Sequence, residues 1–155
     1  MIFRGAATNI AATMALTPSA QLEPGAPLPA FSLPDVATGR PVSETAHADA
    51  KALAVIFLCR HCPYVIHVLP SLLSLAREYI PKGAAFVGIC ANDAEAYPED
   101  SPEKLREMAA RMEFPFPVLH DETQQVARAF RAACTPEFFV FDGGRQLFYH
   151  GRMDA

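Results

Sequence analysis

Apolar positions along the chain follow two rhythms. Over residues 52–58 (ALAVIFL) and 84–90 (AAFVGIC) they run unbroken for the length of a strand, as expected for strands covered on both faces. Between these runs, Val65, Val68, Leu69, Leu72, Leu73, Ala76 and Ile80 recur at steps of three and four. That spacing predicts a helix over residues 64–79, kinked by Pro70. Ser101-Pro102-Glu103 has the form of an N-cap followed by proline at the first helical position, opening a helix to about residue 112. A short strand over 116–119, a helix capped by Thr123 and running to about 132, and a hairpin complete the pattern. The hairpin joins strands 137–142 and 146–150 through Gly143-Gly144. Upstream, prolines at 24, 27, 29 and 34 exclude a helix and predict an extended lead-in with Phe31 and Leu33 turned inward. Strand and helix alternate before the hairpin closes the order, which implies an α/β sandwich whose sheet is parallel at its centre and antiparallel at one edge.

Composition bounds the function. The 155 residues suit one domain; 51% are hydrophobic, 19% charged, and the formal net charge is -4, so neither disorder nor a nucleic-acid footprint is indicated. The first twenty residues carry one charge, Arg4, and end in Pro18-Ser19-Ala20, loosely like a signal peptide. Thr8, Asn9 and Thr13 interrupt the apolar stretch, and no stretch reaches the length of about 18 apolar residues that a spanning helix needs. Residues 1–20 are therefore expected to be a flexible extension, with Met14 an alternative start, and residues 21–155 the domain. Four unevenly spaced cysteines make a poor disulfide framework, so the expected compartment is the cytoplasm, with no membrane partner.

The chemistry centres on Cys59-Arg60-His61-Cys62. The pair ends a buried strand, and Pro63 stands where a first helical residue belongs, which sets both sulfurs beside unpaired backbone N–H groups. The helix dipole, Arg60 and a protonatable His61 all favour negative charge on sulfur, so at least one thiol is expected below the free value of about 8.5. A second signal is Thr135-Pro136, directly before a strand, where proline marks a turn or a cis peptide. Structural zinc would need Cys90, Cys134 or a histidine to complete four ligands, and His67 is set aside as a packing or surface residue. Cys90 and Cys134 are read as small buried hydrophobes, and the acidic run 93–103 as a solvated loop.

With these features in order, the chain resembles the thioredoxin superfamily in its peroxiredoxin-like, AhpC/TSA-related branch, from Leu22 to Asp154. The resemblance rests on FSLPDVATGRPVS (31–43), FLCRHCPYV (57–65), AYPEDSPEK (96–104), FPVLHDETQQVARAF (116–130) and CTPEFFVFD (134–142). It implies a thioredoxin-like three-layer sandwich with a mixed central sheet. It also implies that Cys59 attacks, Cys62 resolves and Pro136 is a cis-proline facing them. Arg60, His61, Pro63 and Thr135 would support the site. The implied activity is thiol–disulfide exchange on a protein or small-molecule disulfide, recharged by a reducing thiol donor and needing no bound cofactor or metal.

Cys62-Pro63 also matches the peroxidatic Cys-Pro of peroxiredoxins, so a peroxidase in which Cys62 is oxidised first is an alternative. A non-catalytic metal-binding or redox-sensing module is another. Three departures stand out. Cys59 occupies the place of the peroxiredoxin threonine, and Pro136 that of an arginine. Arg60 and His61 replace the glycine and proline of thioredoxin, a cationic pair expected to make the disulfide oxidising. The chain also stops just after its last strand, so the domain is expected to lack the C-terminal helix of its relatives.

Overall fold

The computed structural model describes residues 22–153, and the extension expected over residues 1–20 lies outside them. Strands β1 (Ser32–Pro34) and β2 (Pro41–Ser43) form a small antiparallel hairpin. The main elements follow as β3 (Ala52–Phe57), α1 (Pro63–Tyr79), β4 (Ala84–Cys90), α2 (Pro102–Arg111), β5 (Val118–His120), α3 (Gln125–Phe130), β6 (Glu137–Phe141) and β7 (Leu147–Gly151). Five strands make one sheet in the order β5-β4-β3-β6-β7. β3 and β5 run parallel to β4, whereas β6 is antiparallel to both β3 and β7. The sheet is mixed as expected, with β3 as the hinge between its parallel and antiparallel halves.

Side-chain alternation on β3 divides the core in two. Leu53, Val55 and Phe57 face one side, where Phe31, Leu33, Phe130, Phe139 and Phe141 join them. Ile56 and Leu58 face the other, against Val65, Leu69, Leu72 and Leu73 of α1 and Leu105 and Met108 of α2. The result is a three-layer sandwich with α1 and α2 on one face and α3 with the proline-rich lead-in on the other. Phe31 and Leu33 are buried, as the lead-in pattern requires. No α-helix follows β7 among the described residues.

Several boundaries differ from the sequence pattern. α3 ends at Phe130, two residues early, because Arg131 adopts a left-handed conformation (φ 57°) that stops the helix. Thr123 is not its cap. Gln124 takes the N-cap position in a left-handed conformation, and the buried Asp121 carboxylate accepts from Ala127 N at 2.8 Å instead. Ser101 does cap α2, accepting from Lys104 N at 3.3 Å. α1 runs through Pro70 as a single helix of 17 residues. Among the described residues, no helix is long and apolar enough to cross a membrane.

Candidate active site

β3 carries the chain to the parallel half's carboxyl-terminal edge, where the next residues leave the sheet for α1. Cys62 is the N-cap of α1, in extended conformation (φ -77°, ψ 123°), with Pro63 in the first turn. Proline suits that position because its missing N–H is one the helix would leave unpaired anyway. Cys59 is fully buried and Cys62 is 4% exposed. Both are free thiols, as are buried Cys90 and half-buried Cys134.

The second site loop arrives from the opposite half of the sheet. Thr135-Pro136 is a cis peptide, the alternative named from the sequence. Thr135 meets both sulfurs: Cys59 Sγ lies 3.4 Å from Thr135 Oγ1, and the Cys62 thiol donates to the Thr135 carbonyl at 3.6 Å. Glu137, first residue of β6, holds this loop in place. Its Oε1 accepts from Ala133 N at 2.8 Å and Cys134 N at 3.2 Å, while Oε2 bonds His150 Nε2 from β7.

The two thiols differ sharply. Burial pushes Cys59 up to about 12; the Asp100 charge and Cys62 add to this, against a lowering hydrogen bond from Thr135. Burial also acts to raise Cys62, yet its pKa ends below the ordinary thiol value. Hydrogen bonds from Val65 N–H, Thr135, Tyr64 N–H and Cys59 outweigh the burial. The helix N-terminus thus serves Cys62, the opposite of what the resemblance implies when it names Cys59 as the attacking thiolate. Cys90 is pushed up chiefly by burial, and Cys134 by burial and then by the Glu137 charge, so neither is an activated thiol.

Arg60 and His61 do not act as free cations beside the sulfurs, which corrects the expectation of a cationic pair. Arg60 Nη1 pairs with Glu99 Oε1 at 2.9 Å, and His61 Nδ1 bonds Asp100 Oδ2. The His61 ring also stacks on Tyr97, with centroids 4.7 Å apart and planes 2° from parallel. Glu99, Asp100 and Tyr97 all come from the acidic run read as a solvated loop. Asp100 is fully buried and bonded to the loop between the cysteines, a site contact that sequence reasoning missed. The one available signal was an acidic residue embedded in the AYPEDSPEK motif.

Cys59 Sγ, a His61 ring nitrogen and an Asp100 oxygen lie within 4.8 Å of one another, a donor set with the composition of a zinc site. The Asp100 carboxylate is already engaged by four donors, so the cluster is a hydrogen-bonded support of the loop. Those donors are Arg60 N, His61 N, the His61 ring and Asn92 Nδ2.

The pattern of the AhpC/TSA family matches residues 24–150. No relative matches among curated proteins. Among solved structures, an uncharacterized conserved protein from Geobacillus kaustophilus is 45% identical with a TM-score of 0.83, the match covering 85% of this chain and 70% of that one. A hypothetical protein from Sinorhizobium meliloti is 37% identical with a TM-score of 0.84, over 87% and 73% of the two chains. A putative thiol:disulfide interchange protein DsbE from Chlorobium tepidum is 19% identical with a TM-score of 0.72 over 84% and 86%, a likeness of fold. Since the family match runs through both site loops and over most of the chain, the fold is thioredoxin-like and the chain belongs to the AhpC/TSA family.

Proposed function

We propose that the protein is a thiol–disulfide oxidoreductase working through Cys59 and Cys62. The observation that carries this reading is the convergence of both sulfurs on Thr135, beside a cis-proline and at the head of a helix. One cysteine, as thiolate, attacks a sulfur of the substrate disulfide and expels the other substrate sulfur as a thiolate. The second cysteine then attacks the mixed disulfide, releases the remaining substrate thiol, and leaves a Cys59–Cys62 disulfide. The substrate gains two electrons and two protons, and a reducing thiol donor returns the pair to the dithiol. The thiol:disulfide interchange protein that shares this fold supports the same chemistry. Peptide and small-molecule disulfides are both candidate substrates, and the cytoplasm remains the proposed compartment.

A peroxidase reading has one observation in its favour, the Cys62-Pro63 helix start that stabilises a thiolate at Cys62. In that reaction the Cys62 thiolate attacks the distal peroxide oxygen, the O–O bond breaks to release water or an alcohol, and the resulting sulfenic acid condenses with Cys59 to form the disulfide and a second water.

Wild type, Cys59→Ser and Cys62→Ser are to be compared in disulfide turnover and in hydrogen peroxide consumption. Disulfide exchange that needs both cysteines, with one serine variant trapping a mixed disulfide, is the expected result. Peroxide turnover surviving in Cys59→Ser with a sulfenic acid at Cys62, and no disulfide exchange in wild type, would replace the proposal with the peroxidase reading.

A further inference from the structure

The C-x-x-C loop is fastened by a residue forty positions away. Asp100 ends a short 3-10 turn (Pro98–Asp100) and is fully buried, where an unpartnered carboxylate would be costly. Its Oδ1 accepts from Arg60 N at 2.6 Å and His61 N at 3.2 Å. Its Oδ2 accepts from Asn92 Nδ2 at 2.6 Å and bonds the His61 ring. The two residues between the cysteines are therefore held by backbone and side chain together, which fixes Cys62 at the start of α1 and leaves Cys59 behind it. The same carboxylate lies within 4.8 Å of Cys59 Sγ.

We propose that Asp100 is a positioning residue that decides the order in which the cysteines act: it fastens the loop so that Cys62 takes the helix N-terminus, and it sets a negative charge beside Cys59. Cys62 is then the first nucleophile and Cys59 the resolving thiol. This rests on the thiol–disulfide reading and deepens it. The groups facing Cys59 are few. Asp100 and His61 lie on one side, Cys62 at the head of α1, and Cys90 comes from β4, while the cis-proline loop contributes the neutral Thr135 hydroxyl. Of these, Asp100 raises the Cys59 pKa most after burial itself, and it raises the buried Cys90 as well, so removing its charge acts on those two thiols.

The test is iodoacetamide labelling of the full, reduced chain from pH 5 to pH 10, each cysteine being read separately by peptide mass spectrometry. Wild type is expected to label Cys62 before Cys59. In Asp100→Asn the Cys59 profile moves to lower pH, and the Cys62-to-Cys59 rate ratio at pH 8 falls about tenfold, the change that one pKa unit produces. Asn92→Ala removes a donor from Asp100 but leaves its charge, and the ratio is expected to stay within about twofold of wild type, well short of that tenfold change.

Labelling of Cys59 first in wild type overturns the proposal, as does an unchanged ratio in folded Asp100→Asn. Asn92→Ala losing the preference as fully as Asp100→Asn would also overturn it, because the Asp100 charge, which that variant keeps, would then add nothing to the order. Should Asp100→Asn not fold, Asp100→Ser, a smaller neutral side chain that can still accept from the loop amides, carries the same test: a fall in the ratio is expected, and an unchanged ratio overturns the proposal. Labelling does not depend on turnover, so a protein that exchanges no disulfides but labels in this order refutes the function and keeps the role of Asp100.

Discussion

Thr135 meets the two sulfurs through different atoms, its hydroxyl against Cys59 and its carbonyl accepting from the Cys62 thiol. Thr135 contacts Cys59 and also lowers the Cys62 pKa, so it stabilises whichever thiolate forms. Replacing it with the isosteric valine removes a hydrogen bond to a charged sulfur, about 1.5–3 kcal/mol. Thr135→Val is therefore expected to slow Cys62 alkylation at pH 7 by roughly tenfold, read from the pH profile of labelling.

Cys59 supplies a second prediction at this scale. Its folded-state pKa is pushed to about 12 from a starting value of 9.0, so the thiol stabilises the fold fully below the unfolded value. That contribution is lost as the pH rises from there through the folded value. Urea unfolding of the reduced protein should show stability falling above about pH 9, and falling less steeply in Cys59→Ala. Cys90 is raised in the same direction, so the slope should not vanish. Cys59, Cys62, Pro63, Thr135 and Pro136 were all legible in the sequence because local chemistry names them: a C-x-x-C at a strand end and a proline at a strand entrance. Asp100 was not legible, since its contacts with the loop reach forty residues along the chain, and neither was the pairing of Arg60 with Glu99 and of His61 with Asp100.

The two site loops are built alike at the level of elements. Each is tied to the domain by a carboxylate whose one oxygen takes two consecutive backbone N–H groups and whose other oxygen meets a histidine: Asp100 with His61, and Glu137 with His150. Glu137→Ala leaves Ala133 N and Cys134 N without that acceptor and His150 without its partner. A loss of about 1–3 kcal/mol in denaturant unfolding is expected, together with slower Cys62 alkylation as Thr135 loosens. Long periodic segments were read well here, and β4 has the bounds its apolar run predicted. The β1–β2 hairpin was not foreseen, because three-residue strands bounded by prolines carry too few positions to show a period. α3 was mis-capped for a related reason. The carboxylate that takes the Ala127 amide, Asp121, lies six residues back, outside the local spacing that marked Thr123.

At the scale of the molecule, unbroken apolar strands alternating with helices before a closing hairpin were enough to anticipate a mixed sheet covered on both faces, but not which strand would divide it. That strand is β3. It is paired on both sides, to β4 and β6, and its side chains enter both halves of the core. A strand so enclosed has no local route to open, so its backbone amides should exchange with deuterated water only when the whole domain unfolds, whereas the exposed first turn of α1 should exchange far sooner. Mass-resolved exchange on the reduced chain would check this, with the slowest amides expected in Val55, Ile56 and Phe57. Of the two cysteines, Cys59 follows a strand paired on both sides and Cys62 heads a helix. With that order of exchange, a partner approaching the pair would draw out Cys62 by fraying one helical turn without disturbing the strand that anchors the other sulfur.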